Sequence, residues 1–309
     1  MPLLRCPYEE ERDTQRMLEL VYLAPAEYLH TTDLPYRFAS WAFDCPENIA
    51  LWEDERGELL GWAVLQTPFW TIDYATHPNA PNELRLRLLE WADARAEAIR
   101  DTASGHPCWF VNVLRYQGQQ IRDLEALGFA SQEHVPQYAW SKALLKYTPS
   151  LAPLASSLPP GFRIRPLSGV SEVAAYVALH REAFQSESMT EAWRQRTFQH
   201  SAYQPDLDIV VEAEDGRMVG FCICWFAPNE GGTPTGRVEP MGVSSEFHRI
   251  GLGKALLIEG IRRLQERGAA QVFVECDLNS NYPTPAFAFY ESVGFRVFQE
   301  VLVYRKNYI

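Results

Sequence analysis

The chain lacks most of the features that mark a specialised protein. Its 309 residues hold six cysteines, Cys6, Cys45, Cys108, Cys222, Cys224 and Cys276, and no two of them form a C-x-x-C pair. Neither a disulfide framework nor a thiolate metal site is indicated, and reduced, buried thiols suited to a cytoplasmic protein are expected. No His, Cys or carboxylate group has metal-ligand spacing, so no metal is expected. No apolar run approaches the length of a membrane span, and Met1-Pro2-Leu3-Leu4-Arg5-Cys6 lacks the apolar core of a signal peptide. Positive charge is scarce: 28 Lys and Arg face 40 Asp and Glu, a formal net charge of −12. That balance argues against nucleic acid as a partner and suits a cationic amine. With 47% hydrophobic and 22% charged residues the composition is that of an ordinary globular protein, and the length favours two domains.

What the chain does have is one break and a faint repeat. The segment 147–160 is rich in Pro, Ser and Ala, carries no helical or strand period, and reads as a linker. It leaves two nearly equal halves, 1–146 and 161–309. In the second half Leu207 to Glu212 reads as a strand, Glu214-Asp215-Gly216 as a hairpin turn and Met218 to Phe226 as the return strand. Ile49 to Glu53, Glu55-Arg56-Gly57 and Leu59 to Gln66 repeat that layout in the first half. An amphipathic helix follows in each: Leu252 to Arg267, with Leu252, Leu256, Leu257, Ile261 and Leu264 on one face, and about Asn82 to Arg100, with Leu84, Leu88, Trp91, Ala92 and Ile99 inward. Each half then gives a strand (Cys108 to Leu114; Gln271 to Cys276) and a short helix ending in Leu127-Gly128-Phe129 or Val293-Gly294-Phe295. We read two tandem domains of one α/β (α+β) fold.

The halves differ in the loop before the long helix. In the second half an apolar strand, Arg237 to Val243, leads to His248-Arg249-Ile250-Gly251-Leu252-Gly253-Lys254 and at once into the helix. Two glycines there let backbone N–H groups converge at the helix's positive end, an arrangement that binds anions and phosphates above all. Leu256 stands where a dinucleotide fingerprint needs its third glycine, and Ala255 stands where a P-loop needs Ser or Thr. The loop therefore reads as a diphosphate cradle of another kind. Its first-half counterpart, His77-Pro78-Asn79-Ala80-Pro81-Asn82, has no glycine and two prolines that cannot donate.

His248 to Gly253 resembles the R/Q-x-x-G-x-G/A loop of the GNAT superfamily of acyl-CoA-dependent N-acyltransferases, with His248 for Arg or Gln. Ala286 to Phe295 resembles that family's A-x-x-L-Y-E-x-x-G-F signature, with Phe289 for Leu. The likeness covers roughly residues 160 to 309. It implies a mixed, mostly antiparallel sheet flanked by helices in each domain, and acetyl-CoA as donor co-substrate. It implies a diphosphate held by N–H groups from Arg249 to Lys254, with charge from Arg249 and Lys254. It implies a pantetheine arm along Met241, Gly242 and Val243, where the family's sheet splays apart, with an N–H near Val243 polarising the thioester. Tyr290 is then the general acid for the thiolate leaving group. Leu124 stands at the matching position of the first half, which reads as degenerate and non-catalytic. A carboxylate in an apolar strand can take an amine's proton, so Glu239 is the candidate base, with Glu275 a weaker rival. Strand alternation puts Glu239, Met241 and Val243 on one face. Trp193, Trp225 and Phe226 suggest an aromatic wall for the acceptor, and core packing explains them equally well.

The chain departs from the family at His248 and at Pro283, which takes the usual place of an Asn contacting the coenzyme arm; Asn281 or Asn279 is the substitute. No cysteine sits in a covalent acyl-enzyme motif, so the expected reaction is direct attack of a primary amine in a ternary complex within the second domain. The alternative is an acyl-CoA-binding sensor or scaffold without turnover. Small amines, amino acids, antibiotics and protein N-termini all stay open as acceptors. No membrane partner is expected, and both monomer and homodimer are open.

Overall fold

The computed structural model of the chain describes residues 3–135, 139–147, 158–228, 232–278 and 284–308. Most of the expected linker lies outside these residues. The chain forms two compact units. One holds the described residues up to Ala143, together with Asp277 and Leu278, and those from Gln299 on; the other holds the described residues from Leu144 to Cys276 and from Thr284 to Phe298. Each unit thus takes its last strand from the opposite half of the sequence.

In the first unit the strands run in the order Leu4–Pro7, Ile49–Glu53, Leu59–Gln66, Thr71–Thr76, Cys108–Leu114 and the Val301–Asn307 part of the final strand. Both faces are covered. Ile49, Leu51, Trp62 and Val64 pack with Met17 and Leu18 of the helix Glu10–Tyr22. Ala50, Trp52, Leu60 and Ala63 pack with Leu84 and Leu88 of the helix Glu83–Ile99. The period of two, interrupted by a bulge at Leu60, distributes these side chains to opposite sides, so Leu59–Gln66 is buried at every position. The helix matches the expected span and its inward residues, with Leu89 and Ala96 added and Trp91 half-buried. Arg95, which interrupts that face, donates from Nε to Asn48 Oδ1 at 2.8 Å.

In the second unit the order is Phe162–Pro166, Asp208–Ala213, Met218–Ala227, Thr235–Val243, Gln271–Leu278 and then the Leu144–Tyr147 residues. Neighbours among the first four are antiparallel. Phe221 packs on Tyr176 and His180 of the helix Val173–Phe184, with ring centroids 5.0 and 5.5 Å away. Its neighbour Cys222, together with Cys224, lies on the opposite face beneath Gly260 of the helix Leu252–Glu266. A buried ion pair anchors the first of these faces. Arg194 donates to Asp208, both fully buried, and Tyr203 Oη donates to Asp208 Oδ2 at 2.7 Å. Trp193 and Trp225 are 1% exposed and belong to the core. Of the two readings open for these residues, core packing holds at both positions. The cysteines Cys108, Cys222, Cys224 and Cys276 are buried thiols, and Cys6 and Cys45 are half-buried.

Candidate active site

The parallel pairing of Thr235–Val243 with Gln271–Leu278 is confined to Thr235↔Gln271, Gly236↔Val272 and Arg237↔Phe273. Beyond Arg237 the two strands part, which opens a wedge in the sheet. On its other side Thr235–Val243 stays paired, with Gly220↔Val243, Phe221↔Gly242 and Cys222↔Met241. Ser244 N donates to Val219 O at 2.9 Å in the same register. Antiparallel pairs alternate between bonded and non-bonded. Phe221↔Gly242 is then a bonded pair, and the N–H and C=O groups of Met241 and Val243 point into the wedge. The Val243 carbonyl bonds the His248 ring, Nε2 to O at 3.0 Å, while its N–H has no acceptor among the described residues.

One expectation about this strand fails. The register advances two residues from Cys222 to Cys224 but three from Met241 back to Val238, so Thr235–Val243 carries an extra residue at Glu239–Pro240. Gly236, Met241 and Val243 all face the helix Leu252–Glu266, whereas Glu239, next to Val238, has left that face. Simple alternation does not survive the bulge, and Glu239 does not share a face with Met241 and Val243. Its carboxylate acts electrostatically on the phenols of Tyr176 and Tyr290, and Trp225 Nε1 donates to its backbone carbonyl at 2.7 Å. Gly242 has a packing reason of its own. A Cβ there would lie 2.7 Å from Phe221 Cζ and 3.0 Å from Ala183 Cβ. The rival Glu275 accepts from Arg237 Nη2 at 3.1 Å, a pairing that commits its carboxylate.

The wedge leads to the start of the long helix. Gly251 is its N-cap with φ 96°, a left-handed conformation that glycine adopts without penalty, and Arg249 has φ 67°. The first intrahelical bond is Ala255 N to Gly251 O at 3.1 Å. The N–H groups of residues 249 to 254 donate to no described acceptor, and Arg249, Ile250, Gly251 and Lys254 are exposed. Four unsatisfied donors are normal at a helix start, and here the left-handed turn adds more. A Cβ on Gly253 would sit 3.7 Å from Met241 Cε, Val243 Cγ2 and Phe289 Cζ. The helix front, the wedge edge and the short helix Pro285–Val293 thus meet at one place.

That short helix carries Tyr290. Thr284 caps it, its hydroxyl accepting from Phe287 N at 3.2 Å, and Gly294 closes it with φ 110°. The Tyr290 ring packs against Phe295 at 5.7 Å. Its hydroxyl makes no hydrogen bond to a described residue. Burial pushes the Tyr290 phenol well above its ordinary pKa, and the Glu239 carboxylate pushes it the same way. The phenol is therefore held protonated. Asn281 and Asn279 lie outside the described residues.

Sequence reasoning missed Glu182, at the end of the helix Val173–Phe184. Its Oε1 accepts from Ser244 Oγ at 2.9 Å and from Ser245 N and Ser245 Oγ at 3.0 Å each. These bonds hold its carboxyl below the usual carboxylate range, the Ser244 hydroxyl first. Glu182 fixes the loop between the wedge strand and the cradle. Nothing in its sequence setting marks it, since its partners lie more than sixty positions away.

The first-unit counterpart is built differently. Its loop spends its donors on the chain itself: His77 N on Leu60 O at 2.8 Å, Asn79 N on His77 Nδ1 at 3.0 Å and Ala80 N on His77 O at 2.9 Å.

Solved structures of like fold include GCN5-related N-acetyltransferases. A tandem GNAT protein from the clavulanic acid biosynthesis pathway superposes with a TM-score of 0.64 at 14% identity, covering 100% of this chain and 99% of that one. A GCN5-related N-acetyltransferase from Sphaerobacter thermophilus gives 0.61 at 17% identity, covering 99% and 96%. The acetyltransferase (GNAT) family model matches residues 173–295. The mycothiol acetyltransferase of Saccharomonospora viridis is 32% identical over 71% of this chain and 68% of its own length. That of Kocuria rhizophila is 32% identical over 50% of this chain, a match that spans about half of the relative. The chain belongs to the GNAT family and is an acetyl-CoA-dependent acetyltransferase. Among the described residues no helix is long and apolar enough to cross a membrane.

Proposed function

We propose that the chain is an N-acetyltransferase with one active centre, in its C-terminal half, moving the acetyl group of acetyl-CoA to a primary amine by direct attack. The observation that carries this reading is the row of N–H groups at residues 249 to 254 that donate to no described acceptor, standing at the mouth of the wedge beside Phe289 of the helix that carries Tyr290. Those N–H groups and the helix dipole would take the diphosphate, with Arg249 and Lys254 adding charge and His248 holding the loop through Val243. The inward groups of Met241 and Val243 would pair with the amides of the pantetheine arm. The Val243 N–H would stabilise charge on the thioester oxygen.

In the reaction the amine nitrogen attacks the thioester carbon and the carbon–sulfur bond breaks. The departing thiolate takes the Tyr290 phenolic proton. The new ammonium nitrogen loses its proton to Glu239, directly or through water. The raised pKa keeps the phenol protonated and available as a donor at neutral pH, while making it a weaker acid toward the thiolate than an ordinary tyrosine. The N-terminal half serves as a non-catalytic domain: its loop donors are already used, and Leu124 replaces the tyrosine. The acceptor implied by the relatives' name, mycothiol acetyltransferase, is the first to test, followed by a wider amine panel.

The test is release of free thiol from acetyl-CoA across that panel. Amine-dependent turnover supports the reading. Saturable coenzyme A binding with no turnover on any amine would favour a sensor or scaffold instead.

A further inference from the structure

In the N-terminal unit Thr71–Thr76 meets Cys108–Leu114 only at Thr71↔Phe110 and then parts from it. This second wedge is sealed along its edge. Tyr28 Oη donates to Thr76 O at 2.7 Å and accepts from Thr76 N at 3.0 Å. Gln117 Oε1 accepts from Leu114 N at 3.0 Å, while its Nε2 donates to Glu27 O at 2.9 Å. The backbone groups that an amide-bearing arm would need are therefore taken by the unit's own side chains.

A cavity of about 280 Å³ remains behind the seal, at the lower edge of the size range for small-molecule sites. Tyr28, Asp73, Tyr74, Arg85, Asn112 and Glu27 are among the residues that line it. Its fixed charges are mostly committed. Asp73 accepts two bonds from Arg37, at 2.7 and 3.0 Å, and Arg85 donates to Asp123 at 2.8 Å. Glu27 forms no ion pair with a described residue; its carboxylate meets only the neutral Gln117 amide, at 3.2 Å. Asn112 Oδ1 is buried with no hydrogen-bond partner among the described residues. The Tyr74 hydroxyl also has none among the described residues. A buried acceptor that loses its water without gaining a donor destabilises the fold. Such a group, in a cavity whose rim carries the exposed Glu27 carboxylate, calls for a ligand that donates.

We propose that this cavity binds a small primary ammonium compound of amino-acid size, held by Asn112 Oδ1 and the Glu27 carboxylate, and that it excludes acyl-CoA. The site is separate from the proposed active centre and its occupancy does not depend on turnover.

The test is calorimetric titration of glycinamide and, separately, of acetate into the full chain and into Asn112→Leu and Asn112→Asp. Glycinamide should bind and acetate should not. Asn112→Leu should weaken glycinamide binding at least tenfold, and Asn112→Asp, which adds a charge of the right sign, should tighten it. These substitutions separate the cavity from amine binding elsewhere, and unchanged coenzyme A affinity with an unchanged melting temperature shows that both variants fold. Glycinamide affinity unaffected by either substitution, acetate binding instead, or two equivalents of coenzyme A per chain would overturn the proposal.

Discussion

Glu182 and Ser245 are joined twice, the carboxylate Oε1 accepting from both the backbone N–H and the hydroxyl of Ser245 at 3.0 Å. This places a side chain from the Val173–Phe184 helix in control of the loop that aims the cradle. Glu182→Gln keeps the size but weakens the acceptor. We expect the KM for acetyl-CoA to rise roughly three- to tenfold with kcat nearly unchanged, since a charge-assisted bond is about twice as strong as a neutral one. The carboxyl pKa is lowered in the folded chain. Its contribution is therefore complete above the ordinary glutamate value and lost as pH falls through the lowered one. Acetyl-CoA affinity measured down to acid pH should fall in that window in the parent and be flat in the glutamine variant.

Tyr290→Phe removes one oxygen at a ring that keeps its packing on Phe295. The expected outcome is a kcat lower by about 10²–10⁴, the usual worth of a general acid, with coenzyme A affinity unchanged. Because burial and Glu239 raise the phenol's pKa, the parent rate should show no loss from this group up to about pH 10, the ordinary tyrosine value. Steady-state rates with pH profiles decide it, and an unchanged kcat removes Tyr290 from the acid role.

Gly251→Ala forces a Cβ into a backbone with φ 96°. Open space around it means that the cost is conformational rather than steric, about 1–2 kcal/mol. A lowered melting temperature should accompany weaker coenzyme A binding, because the only relief is to unwind the turn that aims the N–H groups.

Arg194 and Asp208 are both fully buried. Arg194→Met strands the carboxylate and should cost about 3–5 kcal/mol in denaturant unfolding. Adding Asp208→Leu should recover most of that loss. If the double variant is as unstable as the single one, the ion pair is not the source of the effect.

Much of this layout was legible from periodicity. Ile49–Glu53, Leu59–Gln66 and Cys108–Leu114 stand where apolar runs bounded by turn residues put them, and Gly251 and Gly294 both take left-handed conformations at helix ends. What could not be read was long-range. Alternation predicted one face for Glu239 and Met241, and the extra residue at Glu239–Pro240 broke it, a bulge that depends on the partner strand's register. Hydrophobicity does not tell a core tryptophan from a cleft one, so both readings of Trp193 and Trp225 stood open until burial placed the two side chains in the core. The crosswise placement of the final strands left no local trace either, since Val301–Asn307 would read as a strand beside any partner.

The most direct measurement is a calorimetric titration of coenzyme A into the full chain and into Gly253→Val. The valine would stand at the helix front, between Met241, Val243 and Phe289, where the diphosphate must approach the N–H groups. The expected result is one equivalent bound by the parent and at least a hundredfold weaker binding by a variant that melts at the same temperature. Equal affinity for the two proteins would contradict a diphosphate held at that helix.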